Sequence, residues 1–184
     1  MRVLVTGGGG YIGSHAVKQL QEAGHQPVVL DNFARGHREA VLEDVPIEEL
    51  ELWQTEAIAN ALTYHRIECV MHFAALAYVG ESVEQPLNYY ENNTAGTISL
   101  LKAMDTANVR RFVLSSTCAT YGQPEQVPIT EDESQRPINP YGWSKLFIEQ
   151  ILRDFAAAQE RFAFASLRYF NVAGCARDGT LGED

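Results

Sequence analysis

Short apolar runs alternate along this chain with stretches whose apolar residues recur at helical spacing. Residues 2–6 (RVLVT) form a β-type run. From Tyr11 to Ala23, the residues Ile12, Ala16, Val17 and Leu20 share one helical face, and Gly24 supplies the stop. Residues 27–30 (PVVL) read as a second strand, 32–48 as a loop with some helix, and 50–53 (LELW) as a short third strand. A helix is expected over 56–64, a fourth strand over 68–73 (ECVMHF), a long helix over 87–107 and a fifth strand over 111–115 (RFVLS). Residues 123–139, with Pro124, Pro128 and Pro137, read as loop. Asn139 is placed to cap, and Pro140 to open, a helix running to about Ala158, and a sixth strand follows over 162–168.

Apolar strands separated by amphipathic helices predict an α/β fold: a doubly wound, Rossmann-like parallel sheet covered on both faces. Right-handed crossovers then place ligands at the C-terminal edge of the strands. At 184 residues the chain has room for one domain and a small part of another. There is no run of about 18 apolar residues, and Met1-Arg2 leads straight into a strand rather than a signal-peptide pattern, so no membrane partner is expected. The net charge of −10 argues against nucleic acid and anionic lipid as partners. Residues 39–56 hold seven acids and no base, which reads as a solvated face. Three scattered cysteines (Cys69, Cys118, Cys175) with no CxxC point to reduced thiols in the cytoplasm, and no metal site is expected.

The first chemical signal lies between the first strand and the first helix. Gly7, Gly10 and Gly13 fit a GxxGxxG spacing, and Gly8, Gly10 and Gly13 fit GxGxxG, so spacing leaves the register open. Either way, glycine permits a tight turn and a close approach of backbone to a pyrophosphate at the helix N-terminus. Asp31 ends the second strand, 18 residues past Gly13. A carboxylate there can accept from both hydroxyls of an adenosine ribose and would repel a 2′-phosphate, favouring NAD over NADP. Arg35 and Arg38 lie close by and read as exposed loop charges.

The second signal is Tyr141 and Lys145, four residues apart and so on one face of the helix after Pro140. The lysine charge would favour phenolate and lower the tyrosine pKa, allowing Tyr141 to take a proton from a substrate hydroxyl. The fifth strand ends in Ser115-Ser116-Thr117, whose hydroxyls would lie at the ligand edge of the sheet.

With these motifs the chain resembles the extended short-chain dehydrogenase/reductase family. The resemblance rests on residues 5–15 (VTGGGGYIGSH), 30–32 (LDN), 72–75 (HFAA), 79–82 (VGES), 89–93 (YYENN), 115–122 (SSTCATYG), 140–145 (PYGWSK) and 167–171 (LRYFN), in family order across nearly the whole chain. It implies a catalytic trio of Thr117, Tyr141 and Lys145. It implies NAD contacts from Gly7, Gly10, Tyr11, Ile12, Gly13, Asp31, Asn32, Asn92, Ser115 and Phe170, and from Phe73, Ala74, Ala75 and Ala77 in the segment 73–77. Thr117, Tyr141 and Asn171 are implied to contact a nucleotide-sugar substrate. The implied reaction is inversion at C4 of a UDP-hexose: Tyr141 takes the 4-hydroxyl proton, C4 gives hydride to NAD, and hydride returns to the other face of the keto sugar. Dehydratase and decarboxylase relatives carry an acid just after the strand-five hydroxyl; here Thr117 is followed by Cys118-Ala119, which favours epimerisation. Another UDP-sugar as substrate, or a non-catalytic NAD-binding fragment, are the alternative readings.

The resemblance also brings two departures. After the third strand the family has Gly-Asp, the Asp contacting adenine; residues 50–55 here read LELWQT, with Glu51 the candidate substitute. Family members also continue for roughly 150 further residues, a typical domain. The expectation is therefore an NAD-binding domain over 1–176, with 177–184 beginning a substrate domain that is largely absent. Relatives often form homodimers through helices of this half, so a homodimer is a possible assembly.

Overall fold

A computed structural model describes residues 1–183. Six parallel strands form one sheet in the order β3-β2-β1-β4-β5-β6. They are β1 (Arg2–Thr6), β2 (Gln26–Leu30), β3 (Ile47–Glu48), β4 (Cys69–His72), β5 (Arg111–Ser115) and β6 (Ala163–Leu167). The principal helices are α1 (Tyr11–Glu22), α2 (Thr55–Tyr64), α3 (Val79–Glu84), α4 (Pro86–Tyr89), α5 (Gly96–Thr106) and α6 (Pro140–Ala158). The strand order reverses between β1 and β4, so the loops after these two strands part and leave a crevice at the C-terminal edge.

Side-chain alternation along the strands builds two cores. Leu4, Val28, Leu30, Val70, Phe112 and Leu114 face one way, against Ile58 and Leu62 of α2, Leu100 and Met104 of α5, and Ile148 and Leu152 of α6. Val3, Val5, Val29 and Cys69 face the other way, against Val17 of α1 and Val41 and Val45 of the β2–β3 connection. The second face is covered only over part of its width. Ala163, Ala165 and Leu167 of β6 point out exposed, so the expectation of a sheet covered on both faces holds for the β2–β1–β4 side and not for β6.

Three local readings change. The third strand is Ile47–Glu48, not 50–53, which instead turns: Gln54 N–H bonds the Glu51 carbonyl, and the Gln54 side chain accepts the Glu51 N–H at 2.7 Å. This leaves Trp53 exposed and Leu52 buried. The long helix expected over 87–107 is α4, a π-helical segment (Tyr90–Ala95) and α5 in succession. The polar tail folds back on α1: Tyr11 donates to the Gly174 carbonyl at 2.7 Å, Lys18 pairs with Asp178, and Leu181 is buried. Asp184, the last residue of that expected segment, lies outside the described residues.

Candidate active site

The glycine turn resolves its own register. Gly7 adopts φ +72°, where L side chains are strained, and a Cβ there would meet the Ala74 backbone nitrogen at 2.5 Å. Gly10 is the N-cap of α1, and a Cβ on Gly13 would collide with the Gly7 carbonyl. Gly7 and Gly13 meet backbone where Gly8 meets only the Val29 side chain, at 2.6 Å, so the Gly7, Gly10, Gly13 register is the one the backbone requires. No side chain caps α1 and its first turn carries no acid, so its positive end is left uncompensated beside the turn.

Beside this turn runs a cleft of about 200 Å³. Gly7, Gly10, Asp31, Asn32, Phe73, Ala74, Ala75 and Asn92, all candidates from the sequence, line it. Arg35, Leu50, Glu51 and Leu76 line it as well. Asp31 is buried, its two oxygens accepting the Gly9 and Phe33 N–H groups at 2.8 Å each, so the carboxylate splints the glycine turn to the end of β2. Asn32 donates to Glu51 at 2.9 Å, which holds the 50–54 turn against the cleft. A backbone floor without side chains, a bare helix N-terminus and a carboxylate at the end of β2 fit a dinucleotide.

Behind the cleft, α6 presents its tyrosine and lysine. Asn139 caps the helix by accepting the Gly142 N–H at 2.8 Å, and Pro140 opens it, as expected. The Thr117 side chain lies near enough to the Tyr141 hydroxyl to favour the phenolate. Thr117 itself is held by the Ala119 N–H at 3.1 Å, as cap of a 3₁₀ turn (Cys118–Thr120). Lys145 is fully buried and donates to the Ser115 carbonyl at 2.9 Å; burial pushes its pKa down to about 8. The structure corrects one expectation: Tyr141 stands above its ordinary pKa, because burial outweighs the influence of Thr117. Lys145 does not offset this, its ammonium being turned to Ser115.

The remaining candidates are spread more widely. Tyr11 bonds the tail, and Gly13 sits beneath the turn. Ile12 lies in the first turn of α1, beside the glycine turn but not on the cleft wall. Ala77 lies in the loop after β4, outside the cleft lining, and Ser115 bonds the Tyr169 hydroxyl through its own. Phe170 and Asn171 are exposed after β6; Phe170 lines a separate hollow with Tyr121 and Arg168.

Several positioning groups escaped the sequence. Asn93, on the π-helical segment, receives the Leu76 N–H at 2.8 Å, donates to the Leu76 carbonyl at 2.9 Å and reaches Ser144 at 3.1 Å. It thereby joins the cleft wall to α6. Glu149 is buried, accepts from Ser116 at 2.6 Å and is gripped by Arg168 at 2.6 to 3.2 Å. That ties α6 to the ends of β5 and β6 on either side of Thr117. The available signal was the polar Ser144 and Glu149 on an otherwise apolar helix face.

Strand order, glycine turn and the cleft beside them together describe a doubly wound fold of the dinucleotide-binding class. The NAD dependent epimerase/dehydratase family matches residues 3–181, and the chain belongs to that family. It is 48% identical over 184 residues to the UDP-glucose 4-epimerase of Lactobacillus helveticus, covering 100% of this chain and 56% of that protein. It superposes with TM-score 0.97 on UDP-glucose 4-epimerase from Brucella ovis in complex with NAD, at 46% identity, covering 100% of this chain and 56% of the other. The corresponding enzyme from Bifidobacterium longum, in complex with NAD+ and UDP, gives TM-score 0.96 at 38% identity, covering 100% of this chain and 57% of that one. The chain thus spans about half the length of the relatives it matches.

Proposed function

We propose that this chain is the cofactor-binding and catalytic half of an NAD-dependent UDP-glucose/UDP-galactose 4-epimerase, with residues 1–176 as the cofactor domain. The observation that carries this reading is the glycine-floored cleft backed by the Tyr141–Thr117 pair. The Gly7–Gly13 turn and the α1 N-terminus would hold the pyrophosphate of NAD, Asp31 the adenosine ribose, and Glu51 with Asn32 the adenine edge. NAD, when bound, supplies the acceptor and donor of hydride. Tyr141 takes and returns the proton of the sugar hydroxyl, Thr117 holds the same oxygen, and Lys145 places positive charge behind the β5 terminus. Asn171 remains the candidate for the nucleotide sugar. The three cysteines are free thiols, which suits the cytoplasm. No helix among the described residues is long and apolar enough to cross a membrane. Exposed Ile98 on α5 and Trp143 and Phe147 on α6 favour a homodimer through these helices.

Given excess NAD and UDP-galactose, the chain is expected to form UDP-glucose slowly, and Tyr141→Phe to lower that rate about 10²-fold or more. A rate unchanged in the Tyr141→Phe chain would contradict the assignment.

A further inference from the structure

Arg35 is a cation on the wall of a cleft that otherwise favours a free ribose. It lies four residues beyond Asp31, on the loop after β2, among the residues that line the adenosine end. An arginine in this neighbourhood is the group that receives a 2′-phosphate, so Asp31 and Arg35 carry opposite instructions. The structure settles the conflict through a third residue. Glu81, on α3, takes the Arg35 guanidinium at 2.6 Å, and the guanidinium lies 5.1 Å over the Tyr78 ring. Glu81 is itself held from behind: the hydroxyl of fully buried Tyr89 stands 2.6 Å from its second oxygen. The acceptor is therefore anchored, and the arginine is drawn toward α3.

Arg38 offers a natural control. It pairs with Glu49 and lies 4.6 Å over the Phe33 ring, but it does not line the cleft.

We propose that Glu81 is a selectivity residue: by holding Arg35 toward α3 it denies a 2′-phosphate its cationic partner, and so sets the cleft for a dinucleotide with a free 2′-hydroxyl. This rests on the reading that the cleft takes an adenine dinucleotide. A partly exposed ion pair contributes little to folding, so the carboxylate can be neutralised while the fold is kept. Glutamine at this position retains an oxygen that can accept from Tyr89.

The test is equilibrium binding of 5′-AMP and of adenosine 2′,5′-bisphosphate to the purified chain. The wild-type chain should prefer AMP. In Glu81→Gln that preference should fall about tenfold, because Arg35 is released. Adding Arg35→Ala to Glu81→Gln should restore it, and Glu49→Gln should leave it unchanged. Arg35→Ala alone should also leave it unchanged, since the wild-type guanidinium is already committed; this arm does not depend on how Glu81→Gln folds. A preference unaltered in Glu81→Gln, or a selective loss of bisphosphate binding in Arg35→Ala alone, would overturn the inference while AMP binding upholds the cleft. A folded wild-type chain that binds neither nucleotide would overturn the reading of the cleft itself, and this inference with it.

Discussion

Individual side chains carry the sharpest consequences. Gly13 faces the Gly7 carbonyl with no room for a methyl group. Gly13→Ala should push α1 away from the turn, cost about 2 kcal/mol or more in denaturant unfolding, and weaken NAD binding at least tenfold. His72 is fully buried between Thr6, at 2.6 Å, and Thr97, at 2.9 Å, and burial lowers its pKa to about 3, helped by the Lys145 charge. The folded chain thus takes up this proton less readily than the unfolded chain. The stability of neutral His72 is present above the ordinary value near 6.5 and is lost as pH falls from there toward 3. From pH 7 to pH 5 the loss should be about 2 kcal/mol, and a His72→Gln chain, unfolded in parallel, should lose that much less. The glycines, Asp31, Tyr141 and Lys145 were legible because each needs a particular residue type at a particular spacing. His72 and Asn93 were not, because their roles come from partners 17 to 66 positions away.

At the scale of elements, periodicity located five strands and the helices α1, α2, α5 and α6, including the Asn139 cap and Pro140 start of α6, but missed the six-residue α3 that carries Glu81. It misplaced β3, whose two residues are too short to impose an alternation, and it could not see a change from α to π winding within one helical run. That change is functional in position: the π-helical segment carries Asn92 at the cleft and Asn93 between the cleft wall and α6. The seven acids of 39–56 are also more than a solvated face, since Glu48, Glu49 and Glu51 bind His65, Arg38 and Asn32. The clamp on α6 is the element-scale test. Glu149→Leu would leave Arg168 without its carboxylate and Ser116 without its acceptor, and should cost about 3 kcal/mol or more. Asn139→Ala, which removes only the cap, should cost about 1 kcal/mol by the same measurement.

Across the whole molecule, the doubly wound sheet was legible as strand–helix alternation, and its strand order and the coverage of its faces were not. Alternation says that a side chain points to one face; it does not say that anything lies on that face. Leu167, Phe170 and Val172 are exposed beyond and along β6, and the chain spans about half the length of its relatives. A bare apolar strip of this kind should bind an apolar dye, and Leu167→Lys should reduce that binding without altering nucleotide affinity. The proposed cofactor site lies wholly within these residues. Its most direct measurement is the nucleotide content of the folded chain: saturate it with NAD, remove the excess, denature, and quantify what is released. The account predicts close to one NAD per chain, and much less from Gly13→Ala. A soluble, folded wild-type chain that releases little or no NAD would contradict it.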